Sequence, residues 1–232
     1  MTTLSMTSYC GKVIKSKSKY HEVIINLCHL PAGHEGKCDE LWFLNHLSVV
    51  SQRVAEKIKR DAFFTTGASW KSAVAGPNRI LRPVMLLDDE ALLKHGINMA
   101  DMKPHVIRKL RDKAADYQSC IQVAMKLAWL TYQVPGAPQA PEEIQTFLEA
   151  HFGAFTPPAC CPICLLPLDY ALFEQAQRGT ALIETCHMDP RSHNAANVGF
   201  GHRDCNIAQG TKSLDEFYFW ISGIIERANQ RV

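Results

Sequence analysis

A chain of 232 residues can bury a full core and has room for one large domain or two to three small ones. No run of its sequence approaches a membrane span, and residues 1–10 show no basic start followed by an apolar stretch, so a cytosolic protein is expected. The formal net charge of +2 conceals an asymmetry: residues 50–126 hold 14 Lys and Arg against 8 Asp and Glu, whereas residues 127–232 hold 6 against 11. Any grip on a polyanion would therefore come from the basic middle rather than the acidic C-terminal part.

Residues 1–40 form a small segment rich in Lys, Cys and His, in which His21–Leu27 reads as a strand ahead of a glycine-containing loop at 31–36. Between Asp39 and Thr65 the apolar positions Leu44, Leu47, Val50, Val54 and Ile58 recur at helical spacing and predict an amphipathic helix. Residues 67–83 carry two glycines and two prolines along with Trp70, Lys71, Arg79 and Arg82, which predicts a loop exposed enough to touch a ligand. A short helix is expected at Asp89–Lys94. Asp101 could cap one long helix ending near Tyr132, with Lys103, Arg108, Lys109, Arg111 and Lys113 in its first turns. The proline-rich stretch 135–141 cannot continue a helix and begins a linker region, 135–154, that includes a further short helix at Glu142–His151. The divisions expected are thus 1–40, 41–134, 135–154 and 155–232.

The chain has nine cysteines, most of them in short pairs with histidines nearby, a pattern that suits metal ligation in a reducing compartment better than disulfides. Cys120 reads as a buried thiol. Cys161 and Cys164, then His202 and Cys205, are two pairs with two residues between their members, the spacing at which both members reach one tetrahedral zinc ion. The 37 residues between the pairs would be stapled at their ends, and Cys160 could replace Cys161. A second structural zinc knuckle is expected from Cys10, Cys28, His34 and Cys38, with ordinary reduced thiols as the competing reading. His187, after an apolar run ending at Ile183 and before Pro190, sits where a strand would end, and a histidine there can take a proton from water. Asn206, held by the adjacent Cys205, offers an amide oxygen to a hard cation. The competing reading is a second zinc cluster of Cys186, His187 and His193 without catalysis.

From Cys160 to Lys212 these residues resemble the HNH endonucleases of the ββα-metal superfamily, in particular the zinc-containing branch with phage junction resolvases and several restriction enzymes. The matching text is Cys161-Pro-Ile-Cys164, Cys186-His187, Asn197 and His202-Arg-Asp-Cys205-Asn206. The resemblance implies an α+β, mainly helical fold in which a zinc-stapled ββα-metal module is attached to a helical DNA-binding region and the small N-terminal knuckle. It further implies that His187 is the general base, that Asn197 braces its loop, and that Asn206 holds a catalytic magnesium or manganese ion. The family normally has Asp immediately before the base, where this chain has Cys186. Either Glu184 or Asp189 supplies the carboxylate, or a softer ion is used, or metal-assisted cleavage is lost; Glu184, which shares strand parity with Cys186, is favoured.

A module of this kind reads little of the base sequence, so affinity would come from residues 1–150. Candidates are Arg79 and Arg82 for guanine edges, Trp70 for stacking, and the basic run Lys103, Arg108, Lys109 and Arg111, with Arg191 and Arg203 chosen on charge alone. The function expected is site-specific, metal-dependent cleavage of double-stranded DNA by a restriction-type, phage or defence nuclease, with a homodimer the simplest way to cut both strands. A non-catalytic zinc-dependent DNA-binding protein and the nuclease subunit of a larger assembly are the competing readings.

Overall fold

Helix α5 (Tyr117–Thr131) is the axis of the fold, and its sequence explains why. Cys120, Ile121, Val123, Ala124, Leu127 and Ala128 are all buried, so apolar positions run around the whole circumference and only an interior helix satisfies them. Around it pack α2 (Gln52–Phe63), α6 (Glu142–Phe152) and strand β4 (Val198–His202). The computed structural model describes residues 13–17, 23–27, 39–65, 80–94, 97–174 and 181–231. One continuous apolar core runs from Trp42 through α5 to Phe217, so the basic middle and the cysteine-rich C-terminal part share it across the proline-rich stretch. Each aliphatic side chain buried there, such as Leu47 or Ile58, contributes roughly 2 kcal/mol. A smaller cluster of Ile80, Val84, Met85, Leu92, Ile97 and Leu110 lies beneath α3 (Asp89–Lys94) and α4 (Pro104–Asp112).

Two expected helices are broken. The pattern after Asp101 divides into α4, which starts at Pro104, and α5, which starts afresh where the Asp116 carboxylate accepts from the Ser119 backbone N–H. Proline at a first turn and a capping Asp both begin helices, and here they override the continuous apolar spacing. Asp101 itself ends a short 3-10 turn. The pattern from Asp39 likewise divides at Ser51 into a 3-10 turn (Trp42–Leu44), α1 (Asn45–Val50) and α2. The helices at Asp89 and Glu142 form where expected, and α6 closes at Gly153, whose φ of 88° suits glycine.

The fold is mainly helical α+β. Strand β2 (Val23–Leu27) falls within the expected extended run and pairs antiparallel with β1 (Val13–Lys17), for which the sequence reading had no signal. The second sheet, β3 (Ile183–His187) with β4, is an antiparallel pair in which His187 lies opposite Val198 and Ile183 opposite His202. Helix α8 (Arg203–Gln209) begins at the residue after β4 and packs back on both strands. Helix α7 (Tyr170–Glu174) precedes the hairpin, and α9 (Leu214–Asn229), started by a Ser213–Glu216 capping box, follows it. Among the described residues no helix is long and apolar enough to cross a membrane.

Candidate active site and metal centre

The first cysteine pair sits on a tight knuckle. The Leu165 N–H donates to the Cys161 carbonyl, the Cys161 N–H donates to the Leu166 carbonyl, and Leu165 takes a left-handed φ of 63° between them. This turn presents both thiols to His202, at the end of β4, and to Cys205, in the first turn of α8. The ligand atoms of these four residues lie within 4.8 Å of one another, and Cys164 Sγ is 3.3 Å from His202 Nδ1. Three soft sulfurs and an imidazole at that spacing fit a zinc ion. Gly201 lets the strand approach so closely: a Cβ there would meet Cys186 Sγ at 3.1 Å and Cys161 Sγ at 3.3 Å. Cys160 is exposed and outside the cluster. Among the described residues this is the one such group, so Cys186, His187 and His193 do not gather as a second.

Beside the knuckle, His187 ends β3. Its residue is 8% exposed and lines a cavity of about 870 Å³. Its Nε2 is 2.9 Å from Nδ1 of His193, whose Nε2 is 2.9 Å from the Ala62 carbonyl at the end of α2. Burial, reinforced by Lys113, His193 and Arg82, holds the His187 imidazole well below its usual pKa, and burial with Arg82 nearby takes His193 down to about 3. Both rings are therefore neutral at neutral pH. The main chain of His187 is fixed by α8, since the buried amide of Gln209 donates to the carbonyls of His187, Met188 and Lys212. Asn197 ties the following loop: its amide donates to the Asp189 and Ser192 carbonyls at 2.7 Å and its oxygen accepts from the Asp189 N–H.

Glu184 and Asn206 also line the cavity and meet directly, with Asn206 Nδ2 donating to Glu184 Oε2 at 2.8 Å while Arg203 donates to Oε1 at 3.1 Å. A carboxylate and an adjacent amide are hard oxygen donors that fit a magnesium or manganese ion. Where α2 meets β3, Asp61 accepts from Lys57, Arg60 and the hydroxyl of Thr185, at 2.8 to 2.9 Å. Burial pushes the Asp61 carboxyl up, but Lys57 and Arg60 outweigh it and hold the pKa at about 2. Lys57, Arg60, Arg82, Arg108, Lys109, Lys113 and Arg191 line the cavity against only Asp61, Asp112 and Glu184 among acids. Such a surplus of cations around a cleft focuses positive potential on whatever enters.

The other predicted residues are placed as follows. Cys186 is 1% exposed, has its thiol against Gly201 and Cys161, and is pushed up to about 12 by burial; it does not line the cavity. Asp189 is outside the cavity too, paired with Arg191 at 2.8 Å. Arg82 is corrected from an exposed loop residue to a buried one: its guanidinium donates to the Lys113 and Asp61 carbonyls from within a 3-10 turn, because Pro83 and the apolar Val84 and Met85 draw that segment into the core. Arg111 is a brace, bonded to the Met85 and Leu87 carbonyls and to Asp89. Arg108 and Lys109 reach the cavity, Lys103 is exposed ahead of α4, and Arg203 is engaged with Glu184. Arg79, Trp70, Cys10, Cys28, His34 and Cys38 lie outside the described residues.

Sequence reasoning missed Asp61, Thr185 and Gln209, and it brought His193 to His187 only as a fellow zinc ligand, not as a hydrogen-bond partner. Only the Lys57–Asp61 spacing of four residues carried a signal. Asp61 and Thr185 are 124 positions apart, and no local pattern announces such a contact.

The family model for DraIII, a restriction-endonuclease family, matches residues 40–205. Among solved structures, a chain titled "Crystal structure of a type II restriction endonuclease" is 43% identical to this one. The match covers 96% of this chain and 99% of that one, with a TM-score of 0.80. The comparison with curated proteins gives no match.

Proposed function

We propose that this chain, which belongs to the DraIII family of restriction endonucleases, hydrolyses phosphodiester bonds of double-stranded DNA at specific sites by an HNH-type mechanism with His187 as general base. The observation that carries the reading is the place of His187, which ends β3 and lines a cavity crowded with cations, where burial also holds its imidazole below its usual pKa. A base must be unprotonated to act, and a phosphodiester needs positive surroundings to approach it. The succession β3–β4–α8, with Asn197 bracing the loop and Asn206 on the helix, supports the HNH assignment.

In this mechanism Arg108, Lys109 and Lys113 draw the DNA backbone into the cavity, and His187 takes the proton of a water aimed at the scissile phosphorus. Glu184 and Asn206 would hold the catalytic magnesium or manganese ion, which when bound supplies positive charge at the departing 3′ oxygen. Arg203 keeps the Glu184 carboxylate turned toward Asn206. Cys186 is left out of this ligand set because a buried thiol outside the cavity is both too soft and on the wrong side. A zinc ion would be held by Cys161, Cys164, His202 and Cys205, a full set of four protein ligands, and would act on the fold rather than on the substrate.

One site cuts one strand, so a double-strand break calls for two copies. Helix α9 offers the surface: only Phe217 of it is buried, while Trp220, Ile224 and Ile225 are 46%, 40% and 54% exposed. A homodimer by sedimentation, reduced to a monomer by Ile224→Glu, is the outcome this arrangement predicts.

The experiment for the activity is a cleavage panel on modified and unmodified plasmid and phage DNA with magnesium, manganese or no divalent ion. Wild-type protein should cut at discrete sites only with a divalent ion, and His187→Ala should lose about 1000-fold or more of the rate. Full cleavage by His187→Ala would remove the assigned base.

A further inference from the structure

We propose that His193 is a positioning residue that dictates which nitrogen of His187 carries the proton, leaving Nδ1 of His187 as the basic atom and tethering that ring to helix α2. This inference rests on His187 being the general base. The Ala62 carbonyl can only accept, so the nitrogen 2.9 Å from it, Nε2 of His193, must carry a hydrogen. A neutral imidazole has one N–H and one lone pair, so Nδ1 of His193 must accept. Its partner 2.9 Å away, Nε2 of His187, must then donate. That leaves the lone pair of His187 on Nδ1, and no described residue donates a hydrogen bond to that atom. Protonation of His193 would reverse the direction, but its burial beside Arg82 and Lys113 opposes a further charge.

The anchor is well chosen physically. Ala62 lies in the last turn of α2, where helical carbonyls lack intrahelical donors and need an outside partner. Both rings are buried, His193 at 5% exposure, so water does not compete for these bonds. The linkage also ties the base to the helix that supplies Lys57, Arg60 and Asp61 to the cavity lining, over a separation of 131 residues.

The test combines ring-nitrogen NMR with kinetics on the full-length, zinc-loaded protein. In the wild type His187 should be a single tautomer protonated on Nε2, with that proton slow to exchange. His193→Ala should lose the slow proton and about 100-fold in kcat, with KM within about threefold, because misplacing a catalytic group by about an ångström costs that much. His193→Asn keeps an acceptor at the Nδ1 position and should recover at least tenfold of the loss. A wild-type His187 protonated on Nδ1, wild-type kcat in His193→Ala, or equal losses in the Ala and Asn variants would each overturn the proposal. Failure of the parent reading is separate: it shows as unimpaired cleavage by His187→Ala, whatever the tautomer. The wild-type NMR measurement stands even if the Ala variant does not fold.

Discussion

The cavity has two walls of opposite character. The β3–β4–α8 wall belongs to the acidic C-terminal segment and brings His187, Glu184 and Asn206, the groups able to do chemistry. The α2–α4 wall belongs to the basic middle and brings Lys57, Arg60, Arg108, Lys109 and Lys113, the groups able to hold a polyanion. Neither wall suffices alone: the first carries one of the seven cations that line the cavity, Arg191, and the second, although it includes His105, lacks the Glu184–Asn206 pair. Uniting them are the Asp61–Thr185 and Ala62–His193 contacts, which cross from one segment to the other.

The most drastic way to break this pairing is to remove the staple from the chemical wall. Cys205→Ala, or chelation, would deprive β4 and α8 of the zinc ion proposed to fix their junction to the knuckle. Structural zinc sites of this kind contribute on the order of 10 kcal/mol of binding free energy, much of it felt as folding free energy. Cleavage should vanish and the thermal midpoint should fall by roughly 10 °C or more, with one zinc per chain lost by elemental analysis. Unchanged zinc content and midpoint in Cys205→Ala would remove the ion from the account.

A subtler break acts at the seam. Asp61→Asn leaves Lys57 buried without its carboxylate and weakens the bond from Thr185. Losing one partner of a buried ion pair typically costs about 3–5 kcal/mol, measurable by urea unfolding at pH 7. The pH dependence has a definite sign. The folded-state pKa of Asp61, about 2, lies below the unfolded value of 3.8, so its contribution is fully present above 3.8 and is lost as pH falls toward 2. The variant should show a smaller further loss of stability over that window, and an identical acid profile would mean that Asp61 does not carry the seam.

How much of this was legible beforehand follows from the range of each interaction. Cys161, Cys164, His202 and Cys205 are paired at two-residue spacing, and such local spacing survives into three dimensions, so the cluster could be read directly. The helices at Asp89 and Glu142 carry their own start signals and were readable too. The Gly- and Pro-rich loop composition around Arg82 and the basic run around Arg111 pointed to exposed cations, yet both spend donors on main-chain carbonyls, because folding brought unpartnered carbonyls within reach. The seam was invisible for the opposite reason. Asp61 and Thr185 are ordinary in their own neighbourhoods and acquire a role only when α2 packs against the hairpin.

The mildest change tests whether the basic wall acts only through charge. Arg108 and Lys109 sit on the exposed face of α4 and line the cavity, while Leu110 holds the helix to the core. Replacing either cation by Ala therefore leaves packing intact and removes one phosphate contact. Each contact releases about one counterion, so each substitution should weaken DNA binding several-fold at 0.1 M salt and lower the slope of log affinity against log salt by about one. The loss should be uniform across DNA sequences, since backbone contacts carry no base information. At saturating DNA the cleavage rate should stay near wild type, because the proposed base stands on the other wall and is tethered to α2 rather than to α4. A fall in the saturated rate with an unchanged salt slope would show instead that α4 acts on the chemistry, and the division of labour between the walls would have to be redrawn.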